Sequence, residues 1–212
     1  MTRPFEIVIP MHFSGFHVEE QLEVRVLRLR SEDVMNRLTR ECVESLIRGL
    51  SESASIGRPL VVAGNDRFFS AGADLQEISQ LNGRDALEFA KMGQALMEVI
   101  DHFPAPVYAA ISGYCMGGGL DLALACHHRI ASPNAVFGHR GTALGLITGW
   151  GGTQRLPRLI GKGRALEMFV AAEKVTAAQA LRMGLVDAIF ADPVAEAVRH
   201  VRFQASSSKN PG

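Results

Sequence analysis

The stretch Ser112-Gly-Tyr-Cys-Met-Gly-Gly-Gly-Leu-Asp121 sets the fold and the chemistry expected of this chain. It follows the apolar run Val107–Ile111, typical of a buried strand, and its glycines lead into a run of good helix formers, Leu120–Ala125. A helix N-terminus offers unpaired backbone N–H groups and a partial positive charge, and glycine lets another molecule's oxygen approach them. The stretch therefore predicts a site that stabilises a developing oxyanion, with the Asp121 carboxylate nearby to move a proton.

A second glycine motif, Phe69-Ser-Ala-Gly-Ala-Asp74, has the same logic. Its small residues lie between a short apolar strand, Leu60–Ala63, and a helix start at which Asp74 is expected to cap the helix. The N–H group of Ala73 is then expected to point outward. Either motif alone is a common tight turn, but one N–H group from each would form an oxyanion hole for a carbonyl.

Apolar strands and amphipathic helices alternate along the rest of the chain, which predicts an α/β fold in one domain, residues 1–203. Residues 204–212 are expected to form a disordered tail. No linker divides the chain, and no repeat period is readable in it. The expected strands are 23–29, 60–63, 107–111, 128–131, 184–190 and a further one within 134–139, and the expected helices are 39–51, 84–103, 177–183 and one that starts at 192–193. In the long helix, the residues expected to face the core are Leu87, Phe89, Ala90, Leu96 and Val99.

The composition is that of an ordinary globular enzyme, with 47% hydrophobic and 21% charged residues among 212. Basic and acidic residues balance at 22 each, so no nucleic-acid or anionic-membrane partner is expected. No apolar run approaches the ~20 residues that span a bilayer. The three irregularly spaced cysteines predict no disulfide framework, and a reducing cytoplasmic location is expected.

The two glycine motifs and a third, Gly151-Gly-Thr-Gln-Arg-Leu156, resemble in order and spacing those of the crotonase superfamily, best known for enoyl-CoA hydratases and isomerases. The segment Ala178-Gln-Ala-Leu-Arg-Met-Gly-Leu-Val-Asp187 is also similar to that family, and the resemblance runs from Val24 to Phe190. It implies a spiral of ββα units that binds an acyl-CoA thioester and assembles as a homotrimer or a dimer of trimers. CoA would enter as part of the substrate, so no separate cofactor is expected.

The resemblance also implies a role for individual residues. The backbone N–H groups of Ala73 and Gly118 would form the oxyanion hole, and Asp121 would stand in the place of the first of two catalytic glutamates. Residues 71, 73 and 75 would contact the CoA adenine, largely through backbone atoms. The expected substrate-binding residues are Ala71, Asp74, Leu75, Gly117, Gly141 and His139. No metal is expected, because His127 and His128 point to opposite faces of one strand and no further ligand completes a zinc site.

The chain departs from the family pattern at four places. The second catalytic glutamate falls on Gly141, and the first is shortened by one methylene to Asp121. The early stretch that helps to hold CoA, here Leu29–Leu38, lacks its proline, and the C-terminal helical part is shortened or absent. A neighbour of Gly141, His139 or Arg140, is a candidate to replace the missing acid.

Three hypotheses for the function follow. The first is a hydratase-like enzyme that adds water to an α,β-unsaturated CoA thioester, with Asp121 handling the proton. The second is double-bond isomerisation, or another reaction through a thioester enolate, because one carboxylate can move a proton between two carbons. The third is a CoA-binding or assembly protein that has lost catalysis.

Overall fold

The computed structural model of this protein describes residues 13–207, where the backbone forms twelve strands and eight α-helices. The strands are β1 Phe16–Gln21, β2 Val24–Leu29, β3 Arg37–Leu38, β4 Leu60–Ala63, β5 Phe68–Ser70, β6 Gly72–Ala73, β7 Val107–Ile111, β8 Tyr114–Met116, β9 His128–Ala131, β10 Val136–Gly138, β11 Val175–Thr176 and β12 Ala188–Ile189. The helices are α1 Arg40–Ala54, α2 Leu75–Ser79, α3 Gly83–Asp101, α4 Gly118–Ala125, α5 Gly152–Ile160, α6 Lys162–Ala171, α7 Ala177–Met183 and α8 Pro193–Ser207. A short 3-10 turn covers Thr142–Leu144.

The larger sheet has six strands in the order β1-β2-β4-β7-β9-β12. Strands β1 and β2 pair antiparallel, and the other neighbours pair parallel. Every residue of β4 and β7 is buried, because both faces of the sheet are covered. Val61 packs in one apolar cluster with Val198 of α8, whereas Val62 belongs to the other cluster, with Leu46 of α1 and Leu96 of α3. This burial explains the continuous apolar runs of the central strands.

The second sheet has four strands in the order β11-β10-β8-β5. In three successive pairs, β4 and β5, β7 and β8, and β9 and β10, the first strand joins the larger sheet and the second joins the smaller one. A helix follows each pair. The chain therefore winds as a ββα spiral, and the predicted fold class is confirmed.

The local signals place several elements correctly. The strands predicted at 23–29, 60–63, 107–111 and 128–131 are β2, β4, β7 and β9. Helix α7 has the cap that its sequence indicates: the Thr176 hydroxyl accepts from the Gln179 N–H, and the Gln179 side chain accepts from the Thr176 N–H. Gly184 ends this helix in the left-handed conformation.

Other predictions were wrong. Leu87 is 56% exposed rather than part of the core, because α3 buries the stripe of Phe89, Leu96 and Ile100, and position 87 lies off that stripe. The strand predicted at 184–190 is only Ala188–Ile189, since a turn takes up the preceding residues. Helix α6 and strand β8 were not predicted.

The last described helix, α8, continues to Ser207, four residues past the predicted end of the domain. Residues 208–212 lie outside the described range, so the predicted tail stays a prediction there. One helix follows β12 within the described residues, which agrees with a shortened C-terminal helical part. No helix between residues 13 and 207 is long and apolar enough to cross a membrane.

Candidate active site

The N-terminus of α4 is the centre of the candidate site. The chain leaves β8 and turns at Gly117, whose φ of 51° is easily adopted by glycine, before α4 begins at Gly118. The Gly117 N–H donates to the Gly138 carbonyl at 2.9 Å, which ties this turn to β10. The Gly118 N–H lies in the first turn of α4, where an α-helix provides no carbonyl partner.

The two glycine motifs meet at this point. A Cβ atom added to Gly118 would lie only 3.2 Å from the Ala73 nitrogen, and one added to Gly72 would lie 2.9 Å from the Gly118 nitrogen. Gly72 also has a φ of 93°, which disfavours other residues. The backbone of β6 thus approaches α4 as closely as glycine permits. The structure brings Ala73 and Gly118 together, as the sequence predicted, and both residues are partly exposed.

The other predicted substrate-binding residues near β6 differ in whether their polar groups already form hydrogen bonds within the protein. Asp74 caps α2, accepting from the N–H groups of Gln76 at 2.8 Å and Glu77 at 3.1 Å, so the predicted capping role is confirmed. The Ala71 N–H donates to the Met35 carbonyl and is not free for a ligand. Leu75 is 53% exposed. Contact of this segment with the CoA adenine stays a prediction.

Asp121, one turn into α4, is 1% exposed and does not behave as a surface acid. One of its oxygens, Oδ2, accepts a hydrogen bond from the Thr148 hydroxyl. The other, Oδ1, lies 3.1 Å from Nε2 of His139, which is 4% exposed. The two atoms are within ion-pair distance but lack the alignment of a hydrogen bond, and neither has another hydrogen-bond partner among the described residues.

The Gly151-Gly152 motif makes room for this pair of side chains. A Cβ atom on Gly152 would overlap Asp121 Oδ1 and would lie 2.9 Å from His139 Nε2. Sequence reasoning found the motif but missed this use of Gly152, and it missed Thr148 altogether. Thr148 could have been noticed only as a polar residue in the exposed apolar loop before the motif.

Gly141, which the sequence resemblance aligned with the second family glutamate, cannot contribute a side chain without rebuilding its loop. It precedes the 3-10 turn, and its carbonyl accepts from the N–H groups of Leu144 and Leu146, both at 2.8 Å. A Cβ atom at this position would lie 2.9 Å from the Leu146 carbonyl oxygen. Its predicted part in substrate binding stays a prediction.

Trp150 forms a wall beside Gly118 and is 3% exposed. Its Nε1 donates to the Phe89 carbonyl at 3.3 Å, and its ring fills the space that the absent side chain of Gly93 leaves on α3. A Cβ atom on Gly118 would lie 2.6 Å from the ring. The Trp150 N–H also donates to the Thr148 hydroxyl oxygen at 3.4 Å, so this residue contacts both parts of the candidate site.

A family model described as enoyl-CoA hydratase/isomerase matches residues 19–209, most of the chain. The chain belongs to this family. The resemblance to the crotonase superfamily is thereby confirmed. A crystal structure of an enoyl-CoA hydratase from Bacillus anthracis superposes on this member with a TM-score of 0.86 at 34% identity, over 91% of this chain and 77% of that one.

Two curated members of the family are similar in sequence. A probable enoyl-CoA hydratase of Bacillus subtilis (strain 168) is 45% identical over 157 residues, which are 73% of this chain and 60% of that protein. A crotonyl-CoA hydratase of Syntrophomonas wolfei is 33% identical over 182 residues, which are 84% of this chain and 70% of that protein. This chain thus spans three-fifths of the length of the Bacillus subtilis relative.

The three thiols of this family member are buried, which disfavours the reactive thiolate form. Cys115 lies fully buried under α4, and burial raises its pKa well above the ordinary value, with the Asp121 charge acting in the same direction. Within residues 13–207, no three side chains of the types His, Cys, Asp and Glu are grouped so that they could hold a metal ion.

Proposed function

We propose that this protein is an acyl-CoA enzyme that adds water to an α,β-unsaturated CoA thioester, as enoyl-CoA hydratases do. The observation that carries the proposal is the approach of Ala73 to Gly118, with Asp121 one helical turn further on. The family and the names of its relatives support the substrate class. CoA enters as part of the substrate, not as a resident cofactor.

In the proposed reaction, the thioester oxygen accepts hydrogen bonds from the N–H groups of Ala73 and Gly118. Because these donors are backbone groups fixed by glycine packing, they need little reorganisation as negative charge grows on the oxygen. Each such donor is worth roughly 10²- to 10³-fold in rate. Asp121 lies three residues beyond Gly118, about 4.5 Å along the helix axis, and acts on the proton at the adjacent carbons.

The test is the rate of crotonyl-CoA hydration, measured as the loss of absorbance of the conjugated thioester. We expect Asp121→Asn to lower kcat at least about 100-fold, since general acid–base groups contribute roughly 10²- to 10⁴-fold. Asp66→Asn is the matched control, because Asp66 is an exposed turn residue on a different segment. Equal hydration rates in the Asp121 variant and the wild type would contradict the assignment.

Gly141 favours a second candidate, isomerisation of a 3-enoyl-CoA to a 2-enoyl-CoA. Such a reaction moves one proton between two carbons and does not require an acid at position 141. Incubation with a 3-enoyl-CoA and chromatographic detection of the 2-enoyl product tests it. Binding of acyl-CoA without turnover of either substrate would instead support a CoA-binding protein that has lost catalysis.

We also propose that the protein assembles as a homotrimer or a dimer of trimers. Apolar side chains are exposed on the 3-10 turn, in the loop that follows it and on α6, and burying them in an assembly would remove apolar area from water. They are Leu144, Ile147, Leu166 and Val170. Light scattering coupled to size-exclusion chromatography measures the mass, and a monomeric mass at micromolar concentration would refute this part of the proposal.

A further inference from the structure

The pair formed by Asp121 and His139 has a feature that its neighbours do not explain. Asp121 Oδ1 and His139 Nε2 are both buried, lie 3.1 Å apart, and lack a hydrogen-bond partner among the described residues. Buried polar atoms are normally paired, and leaving them unpaired costs free energy. A small rotation of the His139 ring would align these two atoms, and one added proton would then satisfy both of them. The geometry is that of a site that takes up a single proton.

The other groups near the Gly141 position do not fit that task. Arg140 is exposed, and a guanidinium group offers hydrogen-bond donors but no acceptor. Gly141 has no side chain, and the loop closes around it. The Cys115 thiol has a pKa well above its usual value because it is buried. His139 is therefore the neighbour of Asp121 that can exchange a proton.

We propose that Asp121 and His139 work as one proton-carrying pair and that this pair replaces the two separate carboxylates of the family hydratases. The inference rests on the proposed function and adds His139 and Thr148 to it. Asp121 meets the substrate, His139 acts through Asp121 by sharing its proton, and Thr148 holds the carboxylate in place from the other oxygen.

The proton balance of hydration closes with this pair alone. An O–H bond of water breaks as its oxygen bonds to Cβ, and the proton goes to Asp121 Oδ1, where it is shared with His139 Nε2. The π electron pair of the C=C bond shifts to form a double bond between Cα and the carbonyl carbon, and the carbonyl π pair moves onto the thioester oxygen, held by Ala73 and Gly118. The enolate then forms a Cα–H bond with the proton from the pair, which returns to its starting state.

Groups from four parts of the fold surround the pair. Thr148 contacts Asp121 from the loop, Gly152 faces both side chains from α5, and the Phe169 ring of α6 lies 5.1 Å from the His139 ring. Cys115 of β8 is the further titratable group that interacts with Asp121. Apart from that thiol, the groups just named around the pair do not titrate, so its proton uptake is set mainly by the two partners.

The experiment compares His139→Asn, Thr148→Val and Glu167→Gln in the full chain. Two activities are measured: hydration of crotonyl-CoA, and exchange of the α-proton of butyryl-CoA in D₂O, which needs the base but no addition of water. We expect His139→Asn to lower both about 100-fold and to move the acid limb of the kcat profile. Thr148→Val is expected to cost about tenfold without moving that limb, because a misplaced carboxylate slows proton transfer but keeps its partner. Glu167→Gln, a change of an exposed residue on α6, is the control and should stay within a few-fold of wild type.

Two further measurements separate a shared proton from mere support of the fold. Added imidazole is expected to restore part of the exchange rate in His139→Ala, which a purely structural role would not allow. At a fixed neutral pH, the ¹⁵N signal of His139 Nε2 is expected to change in Asp121→Asn and to stay the same in Glu167→Gln.

The possible failures can be told apart. A wild-type protein that neither hydrates nor exchanges refutes the proposed function. In that case the ¹⁵N signal still decides the inference: no change in Asp121→Asn overturns it. An active wild type whose pH profile survives His139→Asn unchanged overturns it as well.

Discussion

The two halves of the candidate site are built in different ways. The carbonyl-binding half consists of backbone N–H groups at Ala73 and Gly118, held by the close approach of β6 to α4. The proton-handling half consists of side chains from separate segments: Asp121 on α4, His139 after β10 and Thr148 in the loop before α5. In the first half, the close packing leaves no room for a side chain at Gly118. In the second half, the chemistry depends on which side chain lies at each position.

This difference shows how one fold can keep its electrophilic site while its proton chemistry changes. Backbone donors depend on glycines and on strand geometry, so they persist as long as the spiral folds. In the mechanism that we propose, the acid missing at position 141 is replaced from another position that reaches the Asp121 carboxylate. Single substitutions are therefore expected to impair one half of the site without the other.

The largest effect is expected from Gly118→Ala. The new methyl group would lie 2.6 Å from the Trp150 ring and 3.2 Å from the Ala73 nitrogen, so it would narrow the carbonyl-binding half. We expect crotonyl-CoA hydration to fall by about 10³-fold, the upper end of the effect of losing one oxyanion donor. Gly163→Ala is the matched control, since a Cβ there would meet open space and the site lies on exposed α6. Steady-state kinetics measure the kcat of the two variants. Comparable values would show that Gly118 is not part of the site.

A second change, Gly152→Ala, breaks only the proton-handling half. Its methyl group would overlap Asp121 Oδ1 and push the carboxylate away from His139. A displacement of this size is expected to lower kcat about 100-fold while the affinity for a saturated acyl-CoA stays close to wild type. Calorimetric titration with butyryl-CoA measures the affinity. Equal losses of binding and turnover would mean that the two halves are not separable.

A third change, at Asp187, lies outside both halves of the candidate site and serves as a comparison for them. Burial alone would raise the pKa of Asp187, but hydrogen bonds from His128 and the Arg129 N–H, together with the Arg129 charge, hold it below its usual value. A folded-state pKa below the unfolded value of about 3.9 stabilises the protein above that pH, and the contribution disappears as pH falls through the folded pKa.

We therefore expect Asp187→Asn to lower the free energy of unfolding by up to about 1 kcal/mol at neutral pH, a modest figure because the carboxylate is half exposed. Its difference from wild type should shrink below about pH 4. Urea titrations at several pH values measure it. Loss of hydration activity in this variant would show that the site depends on the distant β9–β12 edge.

The smallest effect on activity is expected from alkylation of the cysteines. Cys42, Cys115 and Cys126 are buried, and burial raises the pKa of Cys42 and of Cys126 to about 12. Because the thiolate is the reactive form, alkylation of the folded protein by iodoacetamide is expected to be slow, and hydration activity should survive the treatment. Mass spectrometry counts the adducts. Rapid labelling of Cys115 would show that the region under Asp121 opens.

The approach of Ala73 to Gly118 was predictable from the sequence because each residue lies within a short motif that combines a strand, glycines and a helix start. The central strands were predictable for a related reason: burial on both faces leaves an uninterrupted apolar run, as in β4 and β7. Strand β8 escaped prediction because it has three residues, one of them the exposed Tyr114, and lies inside the glycine motif.

The proton-handling half was only partly predictable. His139 attracted notice through its position near Gly141, but its contact with Asp121 depends on the three-dimensional pairing of β8 with β10. Thr148 contacts Asp121 across 27 residues of sequence, and no local pattern marks such a pair. The spiral itself repeats in topology and not in sequence, because each ββα unit uses strands of different length and composition.

The packing of Trp150 against Gly93 and Gly118 gives the protein an internal optical probe. This is the only tryptophan in the sequence, and its ring edge lies beside the amide expected to hold the thioester. Tryptophan fluorescence of the folded protein therefore comes from one buried side chain next to the candidate site. Arrival of an acyl group there can be followed in the native chain by fluorescence, without attaching a label.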